Sequence, residues 1–349
     1  MDILVLALAL LAILIGAELF TNGVEWAGHK LGLAEGAVGS VLAAVGTALP
    51  ETMIPLIAIL VSGTEGANEV GVGAILGAPF MLSTLAMFVT GVAVLVVRRG
   101  QPASAPMPVD VDVIAWDMRW FGIAYGIALA VAFLPADLQW PRWIVAVVLL
   151  GTYAFYVRAH LRAEPSHTDT ADLAPLRMHP IDRGAAPHPE APRLRIVVLQ
   201  VAIALALIIG GAYAFVGAVE DLAHSFGLDD ALLALIIAPI ATELPEKFNS
   251  VIWVRQTKDT LAMGNLTGAM VFQATIPTVV ALVFASEHWA IGSGTYLAFA
   301  SALIAFASSA AIFIPMVRRR KLTGRGLLIG GLFYLVYVAV VIGSLGGVF

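Results

Sequence analysis

The chain has 349 residues, 60% hydrophobic and only 12% charged, with no cysteine and a formal net charge of −5. A soluble domain carries about twice that charged fraction, and the mean hydropathy of +0.93 points the same way. Composition therefore indicates a polytopic membrane protein with no nucleic-acid partner, and the lack of cysteine excludes disulfides, thiolate metal sites and cysteine nucleophiles.

A helix that crosses a bilayer needs ~20 mostly apolar residues. On that scale ten spans are predicted, near 3–28, 36–61, 70–97, 119–135, 141–158, 195–219, 230–254, 260–284, 290–317 and 326–348. The first has only Asp2 before its apolar run and no basic n-region, so it reads as an uncleaved span rather than a signal peptide. The second contains Thr47-Ala48-Leu49-Pro50-Glu51, and the seventh contains Thr242-Glu243-Leu244-Pro245-Glu246. A carboxylate at such depth is costly unless it faces a cavity or a partner. The proline beside it breaks the helix and frees carbonyls that can coordinate an ion. Interrupted spans in corresponding positions of two halves point to a transporter's binding site.

The fifth and sixth spans are separated by a polar, proline-rich stretch with His160, His167, His179 and His188. It reads as a tether, which divides the chain into a first five-helix repeat (1–158), a polar linker (159–194) and a second five-helix repeat (195–349). With both termini outside, 17 of the 19 Lys and Arg fall on the linker side, including Lys30, Arg98, Arg99, Lys258 and the run Arg318-Arg319-Arg320-Lys321. The positive-inside rule then places the linker in the cytoplasm of a cell with an inner or plasma membrane. Five spans per half make the second repeat enter from the opposite side.

An offset of 195 pairs Phe20 with Phe215, Glu25 with Glu220, Gly32-Leu33 with Gly227-Leu228, and the two T-x-L-P-E elements with each other. After a four-residue deletion, Gly73-x-x-x-Gly77-Ala78 pairs with Gly264-x-x-x-Gly268-Ala269, a spacing that lets helix backbones approach closely. This ordered set resembles the cation/calcium antiporter superfamily, whose members include sodium/calcium and cation/proton exchangers. The resemblance implies an all-α polytopic fold of ten transmembrane helices in two inverted five-helix repeats. It also implies that Glu51 and Glu246 face one another at mid-membrane as metal ligands, with Thr47 and Thr242 supplying neighbouring oxygens.

The chain departs from that pattern. Ala48 and Glu243 replace the serine after each threonine, Ala78 and Ala269 replace hydroxyls in the glycine-rich helices, and Leu82 and Gln273 stand where exchangers carry Asn or Asp. Asn265 is kept, while Ala74 occupies its place in the first repeat. Ca2+ prefers 6–8 oxygen ligands, so fewer metal ions are expected here, with a proton as a plausible counter-substrate. The expected cation-binding set is Thr47, Glu51, Thr242, Glu243, Glu246 and Gln273. Lys247 serves either as a fixed compensating charge or as a side chain that snorkels to the interface. Asn249 could add an amide oxygen and Glu18 could line an ion path, whereas Thr84, Thr275 and Ser83 read as hydroxyls bonded to their own helices. Trp116, Trp120, Trp140, Trp143 and Trp289 are expected in an interfacial belt. The expected activity is secondary cation antiport of Ca2+ or another cation against Na+ or H+, with membrane lipid and the transported ions as partners and no cofactor. The rivals are a monovalent cation/proton exchanger of the same fold and a degenerate channel or non-transporting protein.

Overall fold

The structure, a computed structural model, describes residues 2–48, 52, 55–56, 58–62, 65–163, 173–182, 192–225, 243–292 and 295–345. Among the described residues, a helix lies in each of the ten predicted spans. These helices are α1 (Asp2–Lys30), α2 (Glu35–Thr47), α3 (65–97), α4 (Val111–Ala130), α5 (Trp140–Leu161), α6 (Leu194–Ser225), α7 (Leu244–Arg255), α8 (Asp259–Phe284), α9 (Tyr296–Arg319) and α10 (324–345). Seven are long and apolar enough to cross a membrane alone. Of the other three, α2 and α7 are short, and α4 carries Asp112, Asp117 and Arg119. Exposed Leu8, Leu11 and Ile15 on α1 and Ile144, Val147 and Val148 on α5 form apolar outer faces, as lipid contact requires.

The helices build an all-α polytopic membrane fold of two inverted repeats, and the crossing of α1 with α6 shows the inversion directly. A Cβ on Gly16 would lie 3.1 Å from Ala204 O and 2.9 Å from Ile208 Cγ1. A Cβ on Gly211 would lie 3.0 Å from Ala9 O and 2.9 Å from Ile13 Cγ1. Each of these pairs, 9 with 204, 13 with 208 and 16 with 211, keeps the offset of 195. Because Gly16 sits by 204–208 and Gly211 by 9–13, the equivalent helices run antiparallel about a pseudo-twofold axis.

A second pair of matched features lies in α3 and α8. In α3, Pro79 is followed by a π-helical turn at Leu82–Ala86. The α8 helix breaks at Ala274 and Thr275 and resumes at Ile276 with Pro277 in its first turn. Thr84 Oγ1 donates to Phe80 O at 2.6 Å, and Thr275 Oγ1 donates to Val271 O at 2.7 Å. Both residue pairs keep the offset of 191. A hydroxyl bonded four residues back bends a helix, so both repeats bend at one place for one reason. The expectation that these hydroxyls serve the helix backbone holds.

The first segment of α8 is the core of the molecule: every residue from Asp259 to Gln273 is buried. It packs on α2, α3, α4 and α7. Gly39 and Ser40 of α2 lie against Leu261, Gly264 and Gly268, and a Cβ on Gly268 would come within 2.1 Å of Ser40 O. Gly264-x-x-x-Gly268 is therefore a backbone-to-backbone contact surface.

The two ends of the bundle are closed by polar locks. At the linker end, Glu25 accepts from Trp253 Nε1 at 2.8 Å and from Lys258 Nζ, and Arg98 Nη2 donates to Asp259 at 2.5 Å. Glu25 is thus buried and paired, not solvated at a membrane edge as its position suggests. At the opposite end, Arg142 is fully buried and donates to the carbonyls of Leu134, Pro135, Leu138 and Trp289 at 2.6–3.4 Å. Trp289 is also buried, its indole N–H donating to Ala128 O at 2.8 Å, so it is a core residue and no part of an aromatic belt.

Part of the linker is ordered. Residues 173–182 lie across α1 and α6, with Leu176 packed on Trp26, Ile196 and Val197. Asn22 donates to Ala174 O and accepts from Arg177 N and Gln200 Nε2. Glu18 is half-exposed and pairs with Arg177 at 2.8 Å. It therefore faces the linker.

A candidate cation site at mid-membrane

The interrupted helices place their broken ends at mid-depth. At 1.5 Å per residue, Thr47 lies about 18 Å along α2 from Glu35, and Glu246 lies about 14 Å along α7 from Arg255. Both distances are near half the ~30 Å hydrocarbon thickness. The α7 helix starts at Leu244 with Pro245 in its first turn, because proline is tolerated where the N–H has no helical partner. The α7 helix packs on α1, the second part of α3, α8 and the Ala44–Thr47 end of α2.

Glu246 has no exposed surface and occupies this first turn, where the positive end of the helix dipole favours a carboxylate. Glu243, just before the helix, is also buried, and Lys247 Nζ lies 3.1 Å from its Oε2 and 3.2 Å from its carbonyl. Lys247 is itself only 5% exposed. It turns inward to the carboxylate one helical turn earlier and does not snorkel.

Across from α7, Thr47 Oγ1 is fully buried and lies 3.1 Å from both Ala43 O and Asn265 Oδ1. This contact joins the broken end of α2 to α8. Gln273 and Pro277 of α8 line a small cleft with Ala74, Ile75 and Ala78 of α3 and with Thr52 and Pro55. The replaced hydroxyl and amide positions Ala74 and Ala78 thus form an apolar wall of the cleft. Glu51 and Thr242, the remaining predicted site residues, lie outside the described residues, as do His167 and His188.

Several buried polar atoms in this region have no hydrogen-bond partner among the described residues. They are both amide atoms of Asn249, Asn265 Nδ2 and Thr52 Oγ1. Leaving such groups unsatisfied is costly; a cation between the helices could take the Asn249 and Thr52 oxygens, and water could accept from the two amide N–H groups. Thr52 was not predicted as a site residue. Its place directly after Glu51, as the repeat mate of Lys247, was the available signal. Asp117 was also missed, because the fourth span was started two residues beyond it.

Inverted five-helix halves with polar, interrupted helices meeting at mid-depth define a secondary transporter of cations. The sodium/calcium exchanger protein family model matches residues 1–161 and 196–346, so the chain belongs to that family of membrane antiporters. Among curated proteins it is 24% identical over 297 residues to CaxA, a candidate antiporter of Alkalimonas amylolytica, covering 82% of this chain and 83% of that one. It is 25% identical over 240 residues to the inner membrane protein YrbG of Escherichia coli K12, covering 68% and 66%. Solved structures of the sodium-calcium exchanger NCX_Mj share the fold. One soaked without Na+ and Ca2+ superposes with a TM-score of 0.72 at 17% identity, over 97% of this chain and 98% of the other. Another, soaked with 2.5 mM Na+ and 0.1 mM Ca2+, gives 0.70 at 15%.

Proposed function

We propose that this antiporter moves Ca2+ or another cation against Na+ or H+ through a site built on Glu51 and Glu246, with Thr47, Thr242, Glu243 and Gln273 as further ligands. The observation that carries this reading is Glu246, fully buried in the first turn of α7, one turn before Asn249, whose buried amide has no hydrogen-bond partner among the described residues. The site would be reached alternately from the two sides of a cell membrane, with both termini outside and the 159–194 linker in the cytoplasm. Its partners would be the lipid and the transported cations, with no cofactor.

Lys247 supports a shift away from multi-ion Ca2+ exchange. It engages Glu243 at 3.1 Å and so sets a fixed positive charge beside that ligand carboxylate, in the place a second metal ion would need. With Ala74, Ala78 and Leu82 in the first half, few side-chain oxygens remain there for the 6–8 ligands Ca2+ prefers. That favours a single cation per cycle, with a proton as counter-ion. The test is flux into proteoliposomes under imposed Na+ and pH gradients. Cation movement should follow the pH gradient and vanish in both Glu51→Gln and Glu246→Gln. Sodium-driven Ca2+ uptake indifferent to pH would refute the proton reading, and full flux in either glutamine variant would refute the site.

A further inference from the structure

Away from the Thr47–Glu246 region, Asp117 on α4 is fully buried and has four polar partners. Its Oδ2 takes the Ser40 hydroxyl of α2 at 2.7 Å and the Thr267 hydroxyl of α8 at 2.6 Å. Its Oδ1 takes the Tyr156 hydroxyl of α5 at 2.8 Å and lies 2.9 Å from His160 Nε2, also on α5. All four partners are at least nine-tenths buried. Three hydroxyls and one imidazole nitrogen thus surround the Asp117 carboxyl, and together they can fill the lone-pair sites of its ionised form.

A buried carboxylate needs a countercharge, and His160 is the ionisable base bonded to it. His160 sits in the last turn of α5, where the helix dipole favours a cation. Among the described residues the neighbouring elements offer no alternative. On α4, Asp110 is exposed and caps its own helix, Asp112 pairs with Arg320, and Arg119 is exposed. On α2, Glu35 lies near Lys258 and Glu25. Asp259 of α8 is bound by Arg98, and Ile276–Phe284 carries no ionisable residue. Arg158 of α5 and Arg318 and Arg319 of α9 are exposed, and Tyr153 stacks on Tyr156.

We propose that Asp117 and His160 form a proton-binding site, separate from the cation site, whose occupancy sets how firmly α2 is held against α8. With the proton bound, imidazolium and carboxylate make a neutral pair at the junction of four helices. Without it, one negative charge is left uncompensated there and the junction loosens. Because α2 carries Thr47 and α8 carries Asn265 and Gln273, the same proton tunes transport. The inference rests on the chain being an antiporter and does not need Glu51 or Glu246 to be ligands.

The experiment follows the unfolding midpoint of the purified full-length protein at pH 6 and pH 8, which span the range where an imidazole changes charge. The wild type should lose a few degrees between the two. His160→Gln should sit at the wild-type pH 8 level at both, and His160→Lys, permanently charged, should hold the pH 6 level at both. Glu246→Gln should keep the wild-type drop, so failure of the cation-site reading would appear in flux and leave this pattern intact. In proteoliposomes with equal pH on both sides, cation flux should depend on pH less steeply in His160→Gln than in the wild type, the remainder being the dependence on the counter-proton itself. A wild-type midpoint that is flat from pH 6 to pH 8, or a His160→Gln profile that overlays the wild type, overturns the proposal, and the first of these needs no variant to fold.

Discussion

The two halves of the molecule match where their backbones touch and differ where they carry polar groups. The α1–α6 crossing repeats its Gly16 and Gly211 contacts residue for residue, and the bends of α3 and α8 repeat their Thr84 and Thr275 hydrogen bonds. At the site, Glu243, Lys247, Asn249, Asn265 and Gln273 of the second half stand opposite Ala48, Thr52, Ile54, Ala74 and Leu82 of the first. Close helix approach depends on having no side chain, so a duplicated contact cannot drift without a clash. A cation's ligands can come from either half, provided enough oxygens remain. The symmetric parts therefore define the scaffold, and on the proposed site the asymmetric parts would set which ion it takes.

Glu246→Gln breaks the comparison most severely. Exchange should fall at least roughly 100-fold, equivalent to about 2.7 kcal/mol of barrier, in a liposome flux assay, with the unfolding midpoint kept. The fixed charge comes next. Lys247→Met strands the buried Glu243 carboxylate, and removing one partner of a buried pair costs about 3–5 kcal/mol. Glu243→Gln combined with Lys247→Met should recover most of that stability. A single variant as stable as the wild type would mean that the 3.1 Å contact contributes nothing.

The scaffold yields smaller, paired effects. Gly16→Ala and Gly211→Ala each push a methyl to within about 3 Å of a backbone oxygen across the crossing, and overpacking of this kind costs roughly 1–3 kcal/mol. The two losses should be equal within experimental scatter. Unequal losses in thermal unfolding would show that the axis relating the halves is only approximate at its best-matched point.

Span number, inversion and repeat register were legible because hydropathy and charge bias are summed over many residues, and lipid leaves helices as the only option for such segments. The role of the glycines was legible because a backbone contact leaves a gap in side-chain size at a fixed spacing. Partnerships of single polar residues were not legible. Glu18 and Glu25 differ by two helical turns on one helix, yet one meets Arg177 of the linker and the other meets Trp253 and Lys258. Which of these occurs depends on long-range packing that no local pattern encodes. Asp117 was lost for a related reason: a hydropathy window trims charged residues from the end of a span, although this one points into the core and is fully buried. The outward reading of Lys247 failed because snorkelling is the rule for a lone lysine, and Glu243, one turn away, makes it a pair.

The smallest expected effect lies at the surface, where a similar ion pair has a different value. Arg320 engages Asp112 through both carboxylate oxygens, one of them at 2.7 Å, joining the end of α9 to the start of α4. On geometry alone it resembles Lys247–Glu243, but its side chains are 61% and 73% exposed, so water competes for both charges. Asp112→Ala should leave the unfolding midpoint unchanged in physiological salt. Arg320 also closes α9 in a left-handed conformation, with φ of 51°, which a side chain disfavours and glycine adopts freely. Arg320→Gly should therefore raise the midpoint slightly while deleting the ion pair altogether. A lower midpoint in both variants would show that this pair holds α4 to α9 despite its exposure, and burial would then not be what separates the two pairs.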